Sequence, residues 1–313
     1  MKVLMVGYFT ENSKINIAGQ FPGDWDVVIV PPGEMLHHIE DCQVIIPEHI
    51  KVDHSLLSIA KKLKLVQTGA GYDNVDINAC TQLGIWAANA AGVNAQAVAE
   101  HVMALMLSYY KNIPFLDAYM KNRTDEKQLN YTGSELKGKT IGIIGFGAIG
   151  KKVAEFCRVF DMHVLVYARN ANAQSDGFAE MTDFDHLVRE SDIVTVHASL
   201  NPQTKQLINK EVLKKMKNTA LFINTARGRI VNEEDLINAL KNKEISGACL
   251  DVFETEPLPI DSELRNLSNV ILTPHTAGMP DGLKFHEKRY AFFVNNIKRV
   301  ENGEEPVSKL NQL

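Results

Sequence analysis

The stretch Gly145-Phe146-Gly147-Ala148-Ile149-Gly150 decides the fold, because it is a G-x-G-x-x-G turn between an apolar run and a helical pattern. Thr140–Ile144 before it predict a buried strand, and the residues from Lys151 to Phe156 continue with helical periodicity. Glycines at these positions permit a tight turn, let the backbone approach a pyrophosphate and pack the helix against the strand. The stretch therefore predicts a dinucleotide site at Gly145, Gly147, Ala148, Ile149 and Gly150.

Apolar runs alternate with amphipathic stretches along the chain, which is typical of β-α units and a parallel sheet. The strands predicted before the glycine turn are Val3–Val6, Val27–Val30, Val44–Ile46, Leu65–Thr68 and Ile85–Ala88. From the turn onward, the predicted strands are Thr140–Ile144, Val164–Val166, Ile193–Val196, Leu221–Asn224, Gly247–Leu250 and Val270–Leu272. Two groups of strands predict two doubly wound parallel-sheet domains of the α/β class.

The connection between the two groups begins with a long helical pattern over Ala95–Lys111, which Pro114 interrupts. A polar run over Lys121–Gly138 follows, and a last helix is predicted over Leu283–Glu301. We expect a cofactor domain at residues 98–282. Residues 1–97 plus 283–313 would form the substrate domain.

Composition excludes several function classes. The chain has 313 residues, 45% of them hydrophobic and 23% charged, with a formal net charge of -5. This balance argues against nucleic acid or an anionic membrane as the partner, and no apolar run is long enough to cross a membrane. The four cysteines have no metal-ligand spacing. We therefore expect a soluble, cytoplasmic protein without a metal site.

The preference between the two nicotinamide cofactors depends on the end of the next strand. In dinucleotide folds, an Asp or Glu about 20 residues past the glycines binds the adenosine ribose hydroxyls. Here the strand His163–Tyr167 ends in Ala168-Arg169-Asn170, without that acid. A guanidinium at Arg169 could instead bind a 2′-phosphate. The sequence predicts that NADP(H) is preferred and that NAD(H) is possible.

Three segments after the glycine turn carry chemically active groups just past predicted strands. They are the segment around Arg227, the acidic segment from Asp251 to Glu256, and the segment around His275. Ligands bind at the carboxyl ends of strands in a doubly wound sheet, so we expect these groups to converge. Reduction of a 2-keto acid needs a cation for the carboxylate and carbonyl, a proton donor, and a carboxylate that favours the protonated imidazole.

These motifs, in this order, resemble the D-isomer-specific 2-hydroxyacid dehydrogenase family. That family includes glyoxylate/hydroxypyruvate reductases, phosphoglycerate dehydrogenases and formate dehydrogenases. The similarity covers nearly the full length and also includes Gly69–Asp76 and the stretch from His197 to Asn209. It implies a Rossmann cofactor domain inserted in a flavodoxin-like substrate domain. It also implies a homodimer packed through the cofactor domains, with the long helix from about Ala95 as the contact.

The resemblance also implies roles for individual residues. Arg227 would clamp the substrate, His275 would be the acid/base, and Glu256 would be its partner. Backbone amides around Ala70 and Gly71 would bind the substrate carboxylate. The cofactor would further contact His197, Thr225, Ala226 and Asp251, although turn capping is the alternative for Asp251.

Three functions remain open from the sequence. The first is NAD(P)H-dependent reduction of a small 2-keto acid, such as glyoxylate or hydroxypyruvate, to the D-2-hydroxy acid. The second is a D-3-phosphoglycerate dehydrogenase without a regulatory domain, in which His49, Lys51 or a residue of a partner subunit would contact the phosphate. The third is a dinucleotide-sensing binding protein similar to the corepressors related to this family.

Overall fold

The computed structural model of the protein describes residues 1–48, 50–122, 129–131, 133–168, 177–279 and 283–313. The chain divides into two compact units. The first comprises Met1–Asn94 and Pro280–Leu313, and the second comprises Ala95–Met279. In chain order, the second unit is inserted in the first.

The elements of both units follow the alternation of strands and helices. The strands are β1 Lys2–Val6, β2 Asp26–Val30, β3 Val44–Pro47, β4 Leu65–Thr68, β5 Trp86–Asn89, β6 Thr140–Ile144, β7 His163–Tyr167, β8 Glu180–Met181, β9 Ile193–Val196, β10 Leu221–Asn224, β11 Gly247–Leu250 and β12 Val270–Leu272. The α-helices are α1 Glu11–Ala18, α2 His54–Ile59, α3 Ile77–Gln82, α4 Ala95–Tyr110, α5 Ile113–Asn122, α6 Ala148–Val159, α7 Phe184–Glu190, α8 Lys210–Leu213, α9 Glu233–Lys241 and α10 Leu283–Glu301.

The first unit contains a five-stranded parallel sheet in the order β2-β1-β3-β4-β5. Successive side chains of a strand point to opposite faces, and β1 follows this rule. Val3 and Met5 pack in one cluster with Tyr290 of α10, while Leu4 and Val6 pack in a second cluster. Both faces of this sheet are therefore covered, as the flavodoxin-like strand order requires.

The second unit contains a seven-stranded parallel sheet in the order β12-β11-β10-β9-β6-β7-β8. Its centre, β9-β6-β7, has the reversal of strand order at which doubly wound sheets bind ligands. Two clusters of buried apolar side chains are also present in this unit. The predicted α/β class with two doubly wound parallel sheets is confirmed.

Side-chain caps fix where several helices begin. Thr10 accepts a hydrogen bond from Ser13 N, Asp53 from Leu56 N, and Asp183 from His186 N. These caps satisfy amides that have no partner inside the helix. Short polar residues after a strand thus set the boundary of the next helix.

The structure corrects the predicted connection between the domains in one respect. Pro114 does not lead directly into a polar linker, because a new helix, α5, spans Ile113–Asn122. The break before it lies at Asn112, which has a left-handed φ of 53°. Proline is tolerated in the first turn of a helix, where its missing N–H has no partner to lose. Pro114 therefore lies in the first turn of a helix here.

Three further observations concern the strands and helices themselves. The short strand β8, Glu180–Met181, was not predicted, and two residues are too few for a periodic pattern. Helix α4 has one apolar face, on which Ala99, Val102, Met103 and Met106 are buried and Leu107 is partly buried. None of the helices in the described part of the chain is long and apolar enough to span a membrane.

Candidate active site

The three glycines of the G-x-G-x-x-G turn differ in how much space a side chain would have at each position. Gly145 has φ +101°, and a Cβ on it would lie 2.7 Å from the backbone of His197. A Cβ on Gly150 would lie 2.2 Å from the carbonyl oxygen of Gly145. A Cβ on Gly147 would meet nothing within 4 Å. The fold itself therefore requires glycine at the first and third positions, whereas the space above Gly147 is open.

The open space at Gly147 lies at the start of α6. Gly147 is the N-cap of this helix, and no side chain caps it. The first amides of a helix, together with its dipole, attract an anion. A dinucleotide pyrophosphate fits this position, with Ala148 and Ile149 supplying the first-turn amides.

The residues that follow β9 and β10 include two further predicted cofactor contacts, His197 and Thr225. His197 follows β9, and its Nε2 lies 3.0 Å from Thr195 Oγ1. Burial lowers the pKa of His197 to about 3, so the ring is neutral. Thr225 follows β10, and its hydroxyl oxygen is buried without a hydrogen-bond partner among the described residues. Such a group can be satisfied by a bound ligand.

Arg227 and the acidic segment are joined by backbone contact. A Cβ on Gly228 would lie 1.9 Å from the backbone of Phe253, so the two loops touch directly. Arg227 is half-buried, and its Nη1 donates to Ala226 O at 2.7 Å. Asn224 holds this turn, since its side chain accepts from Ala226 N and donates to Arg227 O.

His275 and Glu256 form a hydrogen-bonded pair. His275 Nδ1 lies 2.6 Å from Glu256 Oε2, and Phe253 N donates to Glu256 Oε1 at 3.0 Å. Burial acts to raise the pKa of Glu256, but hydrogen bonds from His275 and Phe253 and the charges of His275 and Arg227 outweigh it. The pKa of Glu256 is thus below its ordinary value, and the carboxylate is ionised at neutral pH.

The ionised carboxylate also fixes the tautomer of His275. A carboxylate only accepts hydrogen bonds, so Nδ1 of His275 carries the proton between the two groups. Nε2 is then the nitrogen that can give a proton to a ligand or take one from it. The side chain of His275 is 41% exposed, which leaves this nitrogen within reach of a bound molecule.

Asp251 holds the loop that carries His275. Its carboxylate is 0% exposed and accepts hydrogen bonds from Thr273 Oγ1 at 2.6 Å and from the amides of Thr276 and Ala277 at 2.9 Å. Its carbonyl oxygen accepts from His275 N at 2.8 Å. Between these anchors His275 adopts a left-handed φ of 54°, which is uncommon for a residue other than glycine.

His101 of α4 extends this network. Its Nε2 lies 3.0 Å from Thr273 Oγ1 and 3.7 Å from Asp251 Oδ1. The Thr273 hydroxyl donates to Asp251, so Nε2 of His101 must donate to Thr273. The sequence analysis did not identify His101 or Thr273. The position of Thr273, two residues before His275, was the available signal.

Two further predicted residues, Ala70 and Gly71, belong to the first unit. Ala70 and Gly71 follow β4 in the first unit, where Gly69 O accepts from Ala90 N and Ala70 O accepts from Asn89 Nδ2. Arg169 lies outside the described residues. Among the described residues, no group of three or more His, Cys, Asp or Glu side chains could hold a metal ion.

Comparison with known proteins gives a consistent result. The family model for the NAD binding domain of D-isomer specific 2-hydroxyacid dehydrogenases matches residues 103–277. A glyoxylate reductase of Thermofilum pendens is 37% identical over 299 residues, covering 92% of this chain and 86% of that protein. A D-3-phosphoglycerate dehydrogenase of Archaeoglobus fulgidus is 41% identical over 238 residues, covering 75% of this chain but only 45% of that protein.

A solved structure extends the similarity to the whole fold. An acyclic imino acid reductase in complex with NADPH and D-Arg superimposes with a TM-score of 0.87 at 27% identity, covering 99% of this chain and 100% of that chain. The resemblance predicted from the motifs is therefore confirmed. The chain belongs to the D-isomer specific 2-hydroxyacid dehydrogenases, which are NAD-dependent enzymes that act on CH–OH donors.

Proposed function

We propose that the protein reduces a small 2-keto acid of the glyoxylate or hydroxypyruvate type to the D-2-hydroxy acid, with NAD(P)H as the reductant. The observation that carries the proposal is the 2.6 Å hydrogen bond between His275 and Glu256, in a cluster with Arg227. The similarity to a glyoxylate reductase over most of both chains supports the choice of substrate class.

Each residue of the cluster has a distinct role in this reaction. The nicotinamide, when bound, supplies the hydride that the carbonyl carbon receives. Arg227 binds the substrate carboxylate and stabilises the negative charge that grows on the carbonyl oxygen. His275 gives the proton at Nε2 to that oxygen, and Glu256 stabilises the imidazole in its charged form. Ala70 and Gly71 stay predicted contacts of the substrate carboxylate.

In this proposal, Asp251 contributes to the reaction by holding His275 in position. Both of its carboxylate oxygens accept hydrogen bonds from the His275 loop. This arrangement favours turn capping as its main role. A contact with the nicotinamide carboxamide, together with contacts from Thr225 and Ala226, stays a prediction.

The cofactor preference rests on the end of β7. Ala168 follows Tyr167 directly and offers no carboxylate to a ribose hydroxyl. Arg169, the next residue, is proposed to bind a 2′-phosphate, which makes NADPH the preferred reductant and leaves NADH possible. The imino acid reductase with a similar fold was solved with NADPH.

We propose that the protein forms a homodimer, because helix α5 has exposed apolar side chains. Ile113 is 52% exposed, Phe115 50% and Met120 66%, and none of the residues of this helix is buried. A second copy of the chain would cover these apolar side chains. A mass in solution of about twice 34.9 kDa would support the dimer.

Two other functions remain as alternatives. The similarity to a phosphoglycerate dehydrogenase keeps that activity open. Lys51, a candidate phosphate contact, is however highly exposed, and its Nζ lies 3.2 Å from Oδ2 of Asp53. His49, the other candidate, lies outside the described residues. A dinucleotide sensor would bind NADPH but would turn over 2-keto acids negligibly, so a steady-state assay distinguishes it.

Replacing His275 with Gln should lower kcat for glyoxylate or hydroxypyruvate by about 10²- to 10⁴-fold, because the proton donor is lost. Binding of NADPH, measured by quenching of protein fluorescence, should change little. His163→Gln, an exposed histidine of the same unit, is the matched control and should retain full turnover. Turnover at the wild-type rate in His275→Gln would contradict the proposed role.

Gly147→Ala should weaken NADPH binding by about tenfold or more, which corresponds to 1.4 kcal/mol. The added methyl group meets no protein atom within 4 Å, so it would occupy the space left for the pyrophosphate. The melting temperature without cofactor should stay close to the wild-type value. An unchanged dissociation constant in a folded variant would show that this space does not hold the dinucleotide.

Arg169→Asp should reverse the cofactor preference. A carboxylate next to Ala168 would repel a 2′-phosphate and accept hydrogen bonds from the ribose hydroxyls. We expect the ratio of kcat/KM for NADPH over NADH to fall by about tenfold or more, since an attractive charge becomes a repulsive one. If the ratio does not change, Arg169 does not select the cofactor.

A further inference from the structure

A second set of charged side chains lies at the carboxyl edge of the five-stranded sheet. Glu48 directly follows β3, and Gly69 directly follows β4. Gly7 directly follows β1, the strand between β2 and β3 at which the chain order reverses. Doubly wound sheets bind ligands at this edge and at this reversal. The predicted substrate loop, with Ala70 and Gly71, lies at the same edge.

An ion pair occupies this edge. Arg289 of α10 donates a hydrogen bond through Nη2 to Oε1 of Glu48. The two side chains are only 14% and 17% exposed. The guanidinium carbon of Arg289 also lies 5.2 Å from the ring centre of Phe293 and 5.9 Å from that of Tyr290, both of which are buried. The guanidinium is therefore held in one place by a carboxylate and two aromatic rings.

The ion pair is in direct contact with the strand-end loops. A Cβ on Gly69 would lie 3.1 Å from Nη2 of Arg289. A Cβ on Gly7 would lie 2.9 Å from the Cβ of Glu48. Glycine at position 69 thus lets the guanidinium approach the backbone closely, and glycine at position 7 leaves room for the first side-chain carbon of Glu48. The Gly69 carbonyl accepts a hydrogen bond from Ala90 N, which fixes the loop against which the guanidinium packs.

The amides of the substrate loop are available for a ligand. Within the part of the chain that the structure describes, neither Ala70 N nor Gly71 N donates a hydrogen bond. Ala70 is exposed and Gly71 is half-buried, so an anion can reach both amides. A small carboxylate that binds them would place its neighbouring atoms close to the ion pair, because Arg289 touches the preceding residue, Gly69.

The charged side chains at this edge are paired, so their charges nearly cancel. Glu48 compensates the charge of Arg289, and Asp53 compensates that of Lys51 at 3.2 Å. Burial and the nearby Arg289 lower the pKa of His286, so its ring is neutral at neutral pH. The described residues here offer hydrogen-bond donors without an excess positive charge. Recognition of a phosphate or a second carboxylate needs such an excess.

We propose that the Arg289–Glu48 ion pair determines which 2-keto acids the enzyme accepts. It admits a substrate whose side chain is a hydrogen atom or an uncharged polar group such as hydroxymethyl, which can bind either member of the pair. It rejects a substrate whose side chain carries a second negative charge, because Glu48 already compensates the charge of Arg289 and no excess positive charge is left to bind it. This inference rests on the proposed reductase function.

The experiment compares substrates in the wild-type enzyme and in Glu48→Gln. The wild-type kcat/KM should be at least about 100-fold higher for hydroxypyruvate than for phosphohydroxypyruvate or oxaloacetate, because both latter substrates carry the extra charge. In Glu48→Gln the charge of Arg289 is uncompensated. The ratio of kcat/KM for oxaloacetate over hydroxypyruvate should then rise by about tenfold or more.

Glu40→Gln is the matched control, since it makes the same substitution in an exposed ion pair with Lys61 of the same unit. Its substrate ratios should equal those of the wild type. A Glu48→Gln enzyme that keeps the wild-type ratio while reducing hydroxypyruvate would overturn the inference. If that variant does not fold, the comparison of substrates in the wild-type enzyme tests the inference. Equal turnover of hydroxypyruvate and phosphohydroxypyruvate would then refute the inference. A wild-type enzyme that reduces no 2-keto acid would instead refute the proposed function.

Discussion

The buried carboxylate of Asp251 is the interaction on which the position of the His275 loop depends. A carboxylate without solvent contact is costly unless hydrogen bonds compensate for the lost water. Here the hydroxyl of Thr273 and the amides of Thr276 and Ala277 supply them. These bonds fix both ends of a short loop, and His275 between them takes a left-handed backbone conformation. The carboxylate thus fixes the backbone from which the imidazole reaches Glu256.

The order of the strands explains why these groups meet. Arg227 follows β10, Asp251 follows β11, and His275 follows β12 almost directly, and these three strands are neighbours in a parallel sheet. Parallel neighbours end at the same edge, so a guanidinium, a carboxylate and an imidazole lie at one edge of the sheet. The absence of a side chain at Gly228 then lets the Arg227 turn touch the segment that ends in Glu256.

The sequence predicted the sheets well because buried parallel strands are continuous apolar runs, of which Ile193–Val196 is typical. It also predicted that Glu256 and His275 are partners, because both lie in motifs that follow such strands. It did not predict the contact between His101 and Thr273, which are 172 residues apart, or that between Glu48 and Arg289, which are 241 apart. Hydrogen bonds between such distant residues depend on tertiary packing, which no local pattern encodes.

The most direct test is a double-mutant cycle on Asp251 and His275, with the rate of 2-keto acid reduction measured in a single turnover at saturating NADPH. Asp251→Asn should slow the reaction by about 10²-fold, since the loop amides would face an amide instead of a carboxylate. If Asp251 acts by holding His275, Asp251→Asn should not slow a His275→Gln enzyme further, within about threefold. A double variant whose loss in rate equals the product of the two single losses would contradict this dependence.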